Sequence, residues 1–177
     1  MSLTIRPCTS ADAAMLSLIA QATFLETFAD FLDGDDLHAH CRTKLGEDAH
    51  AKWLAQPDAR LWLALPAPGQ GPVGYAGLAP PDLPIPTHPD DIELKRIYVL
   101  SRFHGAKVGP ALIETAIAEA RAMGRARLLL GVHSENARAI AFYRRSGFTN
   151  AGVRKFLVGA TLHDDLVMAK DLTKTLD

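Results

Sequence analysis

Ile97-Tyr98-Val99-Leu100-Ser101-Arg102-Phe103-His104-Gly105-Ala106-Lys107-Val108-Gly109-Pro110-Ala111-Leu112 decides the reading of this chain. A strand-like run gives way to a turn of small and basic residues, and the turn opens into a long alanine-rich helix. Such a junction aims the unpaired N–H groups of the first helical turn outward, and the helix dipole adds partial positive charge there. Gly105 and Gly109 let a ligand come close to the backbone. Pro110 stands near the helix start, where its missing N–H leaves no intrahelical bond unmade. Arg102 and Lys107 add full charges. The segment predicts a cradle for a diphosphate; a glycine-softened helix start is the plainer alternative.

Upstream, residues 3–7 alternate and end at proline, which predicts a short strand. Thr9 or Ser10 can cap the helix that follows, with Asp12 in its first turn, and that helix continues or kinks through Phe28. Shorter helices are expected over 35–44 and 47–55. Leu61–Leu65 and Val73–Ala79 predict a hairpin around the turn-rich 66–72, residues 80–90 with their five prolines an irregular excursion, and 92–100 a third strand. Downstream come a helix over 108–123 stopped at Gly124, a buried strand over 127–132, and a helix over 136–145 stopped by Ser146-Gly147. Strands over 153–158 and 162–168, joined around Gly159-Ala160, finish the chain. This order predicts an α/β fold, a mixed, mostly antiparallel central sheet with helices on both faces. No internal repeat or linker interrupts it, so one domain spans 1–177.

The 177 residues are 48% apolar and 22% charged, which excludes a disordered chain. The longest apolar run falls far short of the roughly 20 residues of a membrane span, and no basic, apolar leader opens the sequence. With 19 Lys and Arg against 20 Asp and Glu, the chain lacks the basic excess of a nucleic-acid binder, so an anionic ligand needs a local site. Cys8 and Cys41 have neither metal nor redox spacing and read as reduced cytoplasmic thiols. His38 and His40 beside Cys41 lack further ligands; solvent-exposed residues on a short helix, and no metal, are expected. His133, near the end of a strand, could touch a substrate, with a packed or solvent-facing histidine as the plainer reading, and Trp53 and Trp62 read as packing residues. Gly69-Gln70-Gly71-Pro72-Val73-Gly74 matches the dinucleotide fingerprint letter by letter, but a strand follows it where a helix is required and Pro72 removes a donor. It reads as a hairpin loop.

Asn136-Ala137-Arg138-Ala139-Ile140-Ala141-Phe142-Tyr143-Arg144-Arg145-Ser146-Gly147-Phe148 carries an N-A-x-x-F-Y-x-x-x-G-F pattern. With it the chain resembles the GCN5-related N-acetyltransferase (GNAT) family, most strongly from about 91 to 148. The family's pyrophosphate loop usually reads Q/R-x-x-G-x-G/A; here it is His104-Gly105-Ala106-Lys107-Val108-Gly109. His104 stands where Gln or Arg is usual, and Lys107 where the first signature glycine is usual. The resemblance implies the acyl-CoA N-acyltransferase fold and acetyl-CoA as cosubstrate, with residues 104–109 on the pyrophosphate. It implies that the backbone of Ile97, Tyr98 and Val99 pairs with pantetheine like an added strand. It also implies that Asn136 contacts the pantetheine–ADP portion and that Tyr143 lies beside the thioester. A narrower likeness to the bacterial PaiA-type polyamine acetyltransferases runs through Thr23–Phe28, Glu93–Val99, Leu130–Asn136, Phe156–Gly159 and Asp165–Lys170.

The reaction so implied is direct attack of a primary amine on acetyl-CoA. An alkylamine with a pKa near 10.4 costs about 4–5 kcal/mol to deprotonate at pH 7. A carboxylate acting through water is the usual type of solution. Glu93, upstream on the strand implied to line the thioester, is the first candidate base; Glu26 is the second, because the acidic 26–36 stretch could line an amine pocket. Each has a plain alternative, a strand-end carboxylate and a solvated helix face. A backbone N–H near Val99 could stabilise the thioester oxygen. Tyr143 is the candidate acid for the leaving thiolate, with a packing tyrosine as its alternative. The acidic stretch and the narrower likeness point to a small-molecule amine, a polyamine first. Protein N-termini, a drug-like amine, or a non-catalytic acyl-CoA sensor are the rivals. Strand edges leave room for a homodimer.

Overall fold

The computed structural model describes residues 3–30, 32–158 and 161–174. Strand β1 covers Thr4–Pro7, helix α1 Ala13–Phe28, α2 Gly34–Lys44 and α3 Glu47–Leu54. Strands β2 (Arg60–Leu65), β3 (Gly74–Ala79) and β4 (Asp91–Val99) follow, then α4 (Val108–Ala122), β5 (Arg127–His133), α5 (Ala137–Arg145), β6 (Thr149–Val158) and β7 (Thr161–Asp171). The expected link at Gly159-Ala160 lies outside the described residues.

All seven strands form one sheet in the order β1-β2-β3-β4-β5-β7-β6. Every pairing is antiparallel except β4 with β5, where α4 makes the crossover. Alternation along the strands divides the core. Trp62, Ala64, Ala76 and Leu78 face α4, which buries Val108, Leu112, Ile113, Ala116 and Ala120, and α5, which buries Ile140. Leu61, Leu63 and Tyr75 face the other way, onto Leu16, Ile19, Ala20 and Phe24 of α1. Helices therefore cover both faces, as expected. Truncating a core residue such as Leu112 to alanine costs about 2–5 kcal/mol.

Local chemistry moves some boundaries. Thr9 opens a single 3₁₀ turn, Ser10–Asp12, ahead of α1. Asp12 lies in that turn rather than in the first turn of α1, and its carboxylate accepts the Thr9 N–H at 2.7 Å and pairs with Arg6 at 2.6 Å. Strand β6 starts at Thr149, earlier than expected, because its register shifts between Asn150 and Gly152 and breaks the alternation there. No helix among the described residues is long and apolar enough to cross a membrane.

Candidate active site

Strands β4 and β5 pair only through Asp91–Arg127, Ile92–Leu128 and Glu93–Leu129. Beyond that point they part, although β4 continues to Val99 and β5 to His133. The parting coincides with a β-bulge. Gly77 of β3 opposes Arg96 while Leu78 opposes Leu94, so Lys95 is the extra residue. Its effect shows in the packing: Ile92 and Leu94 face α4 on one side of it, and Ile97 and Val99 do so on the other. Apolar positions thus switch from even to odd across Lys95-Arg96.

The parted strands open a cavity of about 1460 Å³ that runs from α1 to the start of α4. Leu100 donates its N–H to Val73 at 2.9 Å. By alternation Tyr98 turns its main chain toward β3, and Ile97 and Val99 turn theirs into the gap. Of the three residues expected to pair as an added strand, two therefore present main-chain groups there. Tyr98 offers its ring, stacked on Tyr75 with centroids 6.0 Å apart. The Val99 carbonyl is within 3.0 Å of His104 Nε2, which ties the turn back to the strand.

At the other end lies the turn into α4. Gly105 has φ +87°, and Lys107 has φ +62°, the one non-glycine residue with positive φ among the described residues. Lys107 thus takes up the left-handed conformation that a glycine would hold without strain. Among the described residues none accepts the N–H groups of Gly105, Lys107, Val108 or Gly109. Four donors at a helix start, with space beside Gly105 where a side chain would otherwise stand, fit a diphosphate. His104, Gly105, Lys107, Val108 and Gly109 line the cavity; Ala106 and Arg102 do not, and the Arg102 guanidinium lies 4.8 Å over the Phe103 ring. Arg138 and Arg145 of α5 line the cavity too, on the helix face of Phe142, whose ring lies next to Gly109. They escaped the sequence reading, though the Asn136–Phe148 pattern already placed them on the implied ligand helix.

Tyr143, at 8% exposure, lines the cavity between the two ends. Its ring rests against Phe142 and Phe148, and its hydroxyl meets no partner among the described residues. Burial raises its pKa, and nearby Tyr98 adds to this, so it keeps its proton through the neutral range. Asn136 caps α5, accepting the Ala139 N–H at 3.0 Å, so its amide NH₂ is what remains for a ligand.

The two candidate bases sit differently. Glu93 lines the cavity but is 2% exposed, ion-paired with Lys95 at 2.8 Å and bonded by the Asp82 N–H at 3.1 Å. Glu26 lines it as well, is exposed, and has no cation partner among the described residues; it accepts from the N–H and hydroxyl of Ser101. The rest of the acidic stretch is elsewhere. Asp33 caps α2 by accepting the Asp35 N–H, and Asp35 and Asp36 stand in the first turn of that helix.

His40 corrects an expectation. It is half-buried on the cavity wall and stacked on Phe24 at 4.4 Å, and its pKa is pushed down to about 4, by burial first and then by Arg96 and Lys44. Only His38 is solvent-exposed as expected. No metal-binding group of residues occurs among the described residues. His133 lines the cavity, Trp62 is core, and Trp53 lies on the cavity wall with Arg96 over its ring. Cys8 and Cys41 are free thiols.

Residues 24–148 match the family model of the acetyltransferase (GNAT) family. An uncharacterised N-acetyltransferase of Mycobacterium tuberculosis is 32% identical over 91% of this chain and 98% of its own length. Among solved structures, a PaiA N-acetyltransferase from Thermoplasma acidophilum in complex with coenzyme A superposes with a TM-score of 0.77. It is 21% identical, and the match covers 97% of this chain and 99% of that one. The ribosomal-protein-S18-alanine N-acetyltransferase of Escherichia coli superposes with a TM-score of 0.70 at 20% identity, covering 99% and 97%. The parted strands, the donor nest before α4 and the sequence match agree: the chain belongs to the acetyltransferase (GNAT) family, the N-acetyltransferases that use acetyl-CoA.

Proposed function

We propose that this enzyme acetylates the primary amine of a small molecule in the cavity between α1 and the parted strands. Acetyl-CoA, when bound, supplies an activated acetyl group as a thioester. The chain supplies the rest. The N–H groups of Gly105, Lys107, Val108 and Gly109, with the side chains of Lys107, Arg138 and Arg145, hold the diphosphate, and the gap-facing main chain of Ile97 and Val99 orients the pantetheine arm. The Asn136 amide adds a polar contact. Glu26 is the better-placed base, because Glu93 is already neutralised by Lys95; it takes up the amine proton, directly or through water.

Tyr143 acts on the leaving sulfur. With its pKa raised by burial it gives a hydrogen bond readily and its proton only to a comparably basic group. A thiolate taken out of water becomes more basic as well. Hydrogen bonding that passes into proton transfer as the sulfur gathers charge fits both facts.

The observation that carries this reading is the parting of β4 and β5 directly onto the unsatisfied N–H groups before α4. The deciding experiment measures coenzyme A release from acetyl-CoA across a panel of primary amines, peptides included. Release with small amines and none with peptides supports the proposal. Acetyl-CoA binding with no release from any amine identifies a sensor instead. Spermidine belongs in the panel: the PaiA likeness and Glu26, the one acid of the 26–36 stretch on the wall, make a polyamine one candidate acceptor for it to test. Free Cys8 and Cys41 suit a reducing cytoplasm.

A further inference from the structure

The α1 end of the cavity is chemically distinctive. Its walls are aromatic, with Phe24, Phe28, Trp53, Tyr75 and Tyr98. Its charges do not balance. Seven lysines and arginines line the whole cavity against four carboxylates. Three of the four are spent: Asp82 and Glu93 on Lys95, and Asp165 on Arg154. Lys107, Arg138 and Arg145 belong to the diphosphate end. That leaves Lys44 and Arg96 at the aromatic end.

Arg96 is a built feature rather than a loose surface charge. It follows the bulge at Lys95, which turns it to the same sheet face as Tyr98. Its guanidinium lies 5.4 Å over the Trp53 ring and one nitrogen donates to the Lys44 carbonyl at 3.2 Å. It has no carboxylate partner among the described residues. A half-buried guanidinium held over Trp53, bonded to the Lys44 carbonyl and within reach of the Tyr75 hydroxyl still keeps donors for a planar anion, which it matches in bidentate fashion.

We propose that the acceptor carries a carboxylate as well as its amine, that Arg96 binds this carboxylate, and that the acceptor is therefore an amino acid with an apolar side chain. This rests on the acetyl-transfer reading above. Arg96 would take the acceptor's carboxylate, Glu26 its amine proton, and the aromatic walls its apolar body. Cations near the amine also favour its neutral, attacking form. His40, on the same wall, reports that field, since Arg96 and Lys44 add to burial in pushing it down. A polyamine would bring additional positive charge to a wall that already has too much.

The test uses matched pairs: L-phenylalanine beside phenethylamine, L-leucine beside isoamylamine, and spermidine alone, each assayed by coenzyme A release. The wild type should prefer the amino acid of each pair by about tenfold or more in kcat/KM, because its absence leaves Arg96 unpaired. Arg96→Gln should abolish that preference through the KM of the amino acid, and Arg96→Lys should restore part of it. A second readout needs no turnover. Calorimetry on the protein saturated with coenzyme A compares N-acetyl-L-phenylalanine with N-acetylphenethylamine. Tighter binding of the carboxylate, lost in Arg96→Gln, supports the site. Equal binding, or better turnover of spermidine and the decarboxylated amines, overturns it and leaves the acetyl transfer standing. Arg96-dependent carboxylate binding with no coenzyme A release from any amine would keep the anion site and sink the transfer reading. Should Arg96→Gln not fold, the wild-type pairs and Arg96→Lys still decide.

Discussion

The Glu26 carboxylate accepts the main-chain N–H of Ser101 at 2.8 Å and the Ser101 hydroxyl at 3.2 Å. One helical side chain thereby pins the point where β4 ends and the turn toward the diphosphate cradle begins. Glu26 is at once an anchor for the cradle and an acid on the acceptor wall. The two roles separate by substitution. Glu26→Gln keeps an accepting oxygen for Ser101 but cannot take a proton. It should lower kcat about 10–100-fold with acetyl-CoA affinity within about twofold of wild type. Glu26→Ala removes the anchor too and should also weaken acetyl-CoA. Stopped-flow turnover with calorimetry on both variants checks this, and a Glu26→Gln enzyme with the wild-type rate would hand the proton to another group.

Tyr143→Phe removes a hydroxyl that has no partner among the described residues and leaves the ring packed on Phe142 and Phe148. Stability should therefore stay within about 0.5 kcal/mol. Turnover should fall about 10–100-fold, since the leaving sulfur loses its hydrogen bond, while the dissociation constant of acetyl-CoA barely moves. Thermal unfolding, turnover and calorimetry together read this; an unaltered kcat would remove Tyr143 from the chemistry.

Lys107 combines two opposed effects at one residue. Its φ of +62° is strained for a side chain with a Cβ, and its charge lies beside the unsatisfied N–H groups of the cradle. Lys107→Gly should raise stability by about 0.5–1 kcal/mol by relieving the strain, yet weaken acetyl-CoA several-fold. Lys107→Glu should weaken acetyl-CoA further. The deficit should narrow as salt rises from low ionic strength, because the lost term is electrostatic. Urea titrations and acetyl-CoA titrations at two salt concentrations test both signs.

The sequence is a good guide where one period governs a whole element. Helix α4 and strand β5 lie within a residue of the expected bounds, because α4 packs one regular face onto one core cluster and β5 is an unbroken apolar run buried on both faces. It guides less well where function breaks the period. The bulge at Lys95 changes which face Arg96 occupies, and strand alternation read across it puts that arginine on the wrong side. The acidic 26–36 stretch reads as one patch, but helix capping uses Asp33 and only Glu26 reaches the cavity. His40 became a wall residue because Phe24 comes to lie beneath it from another helix, a contact that local sequence does not encode. Lys107 shows the reverse: the family pattern marks the position as special, and the backbone keeps the glycine-like conformation although the residue has changed.

A last prediction concerns the far edge of the sheet. Asp12 is held down to about 2, chiefly by its hydrogen bonds from the Arg6 guanidinium and also by the Thr9 N–H, against an ordinary value of 3.8. A carboxylate whose folded pKa is depressed contributes stability above its unfolded pKa, and that contribution is lost as pH falls through the folded value. The full shift would correspond to about 2.4 kcal/mol, but the Arg6 side chain is 40% exposed, and solvent screening reduces this to about 1 kcal/mol. Asp12→Ala should therefore be about 1 kcal/mol less stable than wild type at pH 7. The gap should hold down to about pH 4, shrink between pH 4 and 2, and close below that. Urea midpoints for both proteins at pH 7, 4, 3 and 2 measure it. A gap that persists at pH 2 would show that Asp12 acts through its turn geometry rather than through its charge.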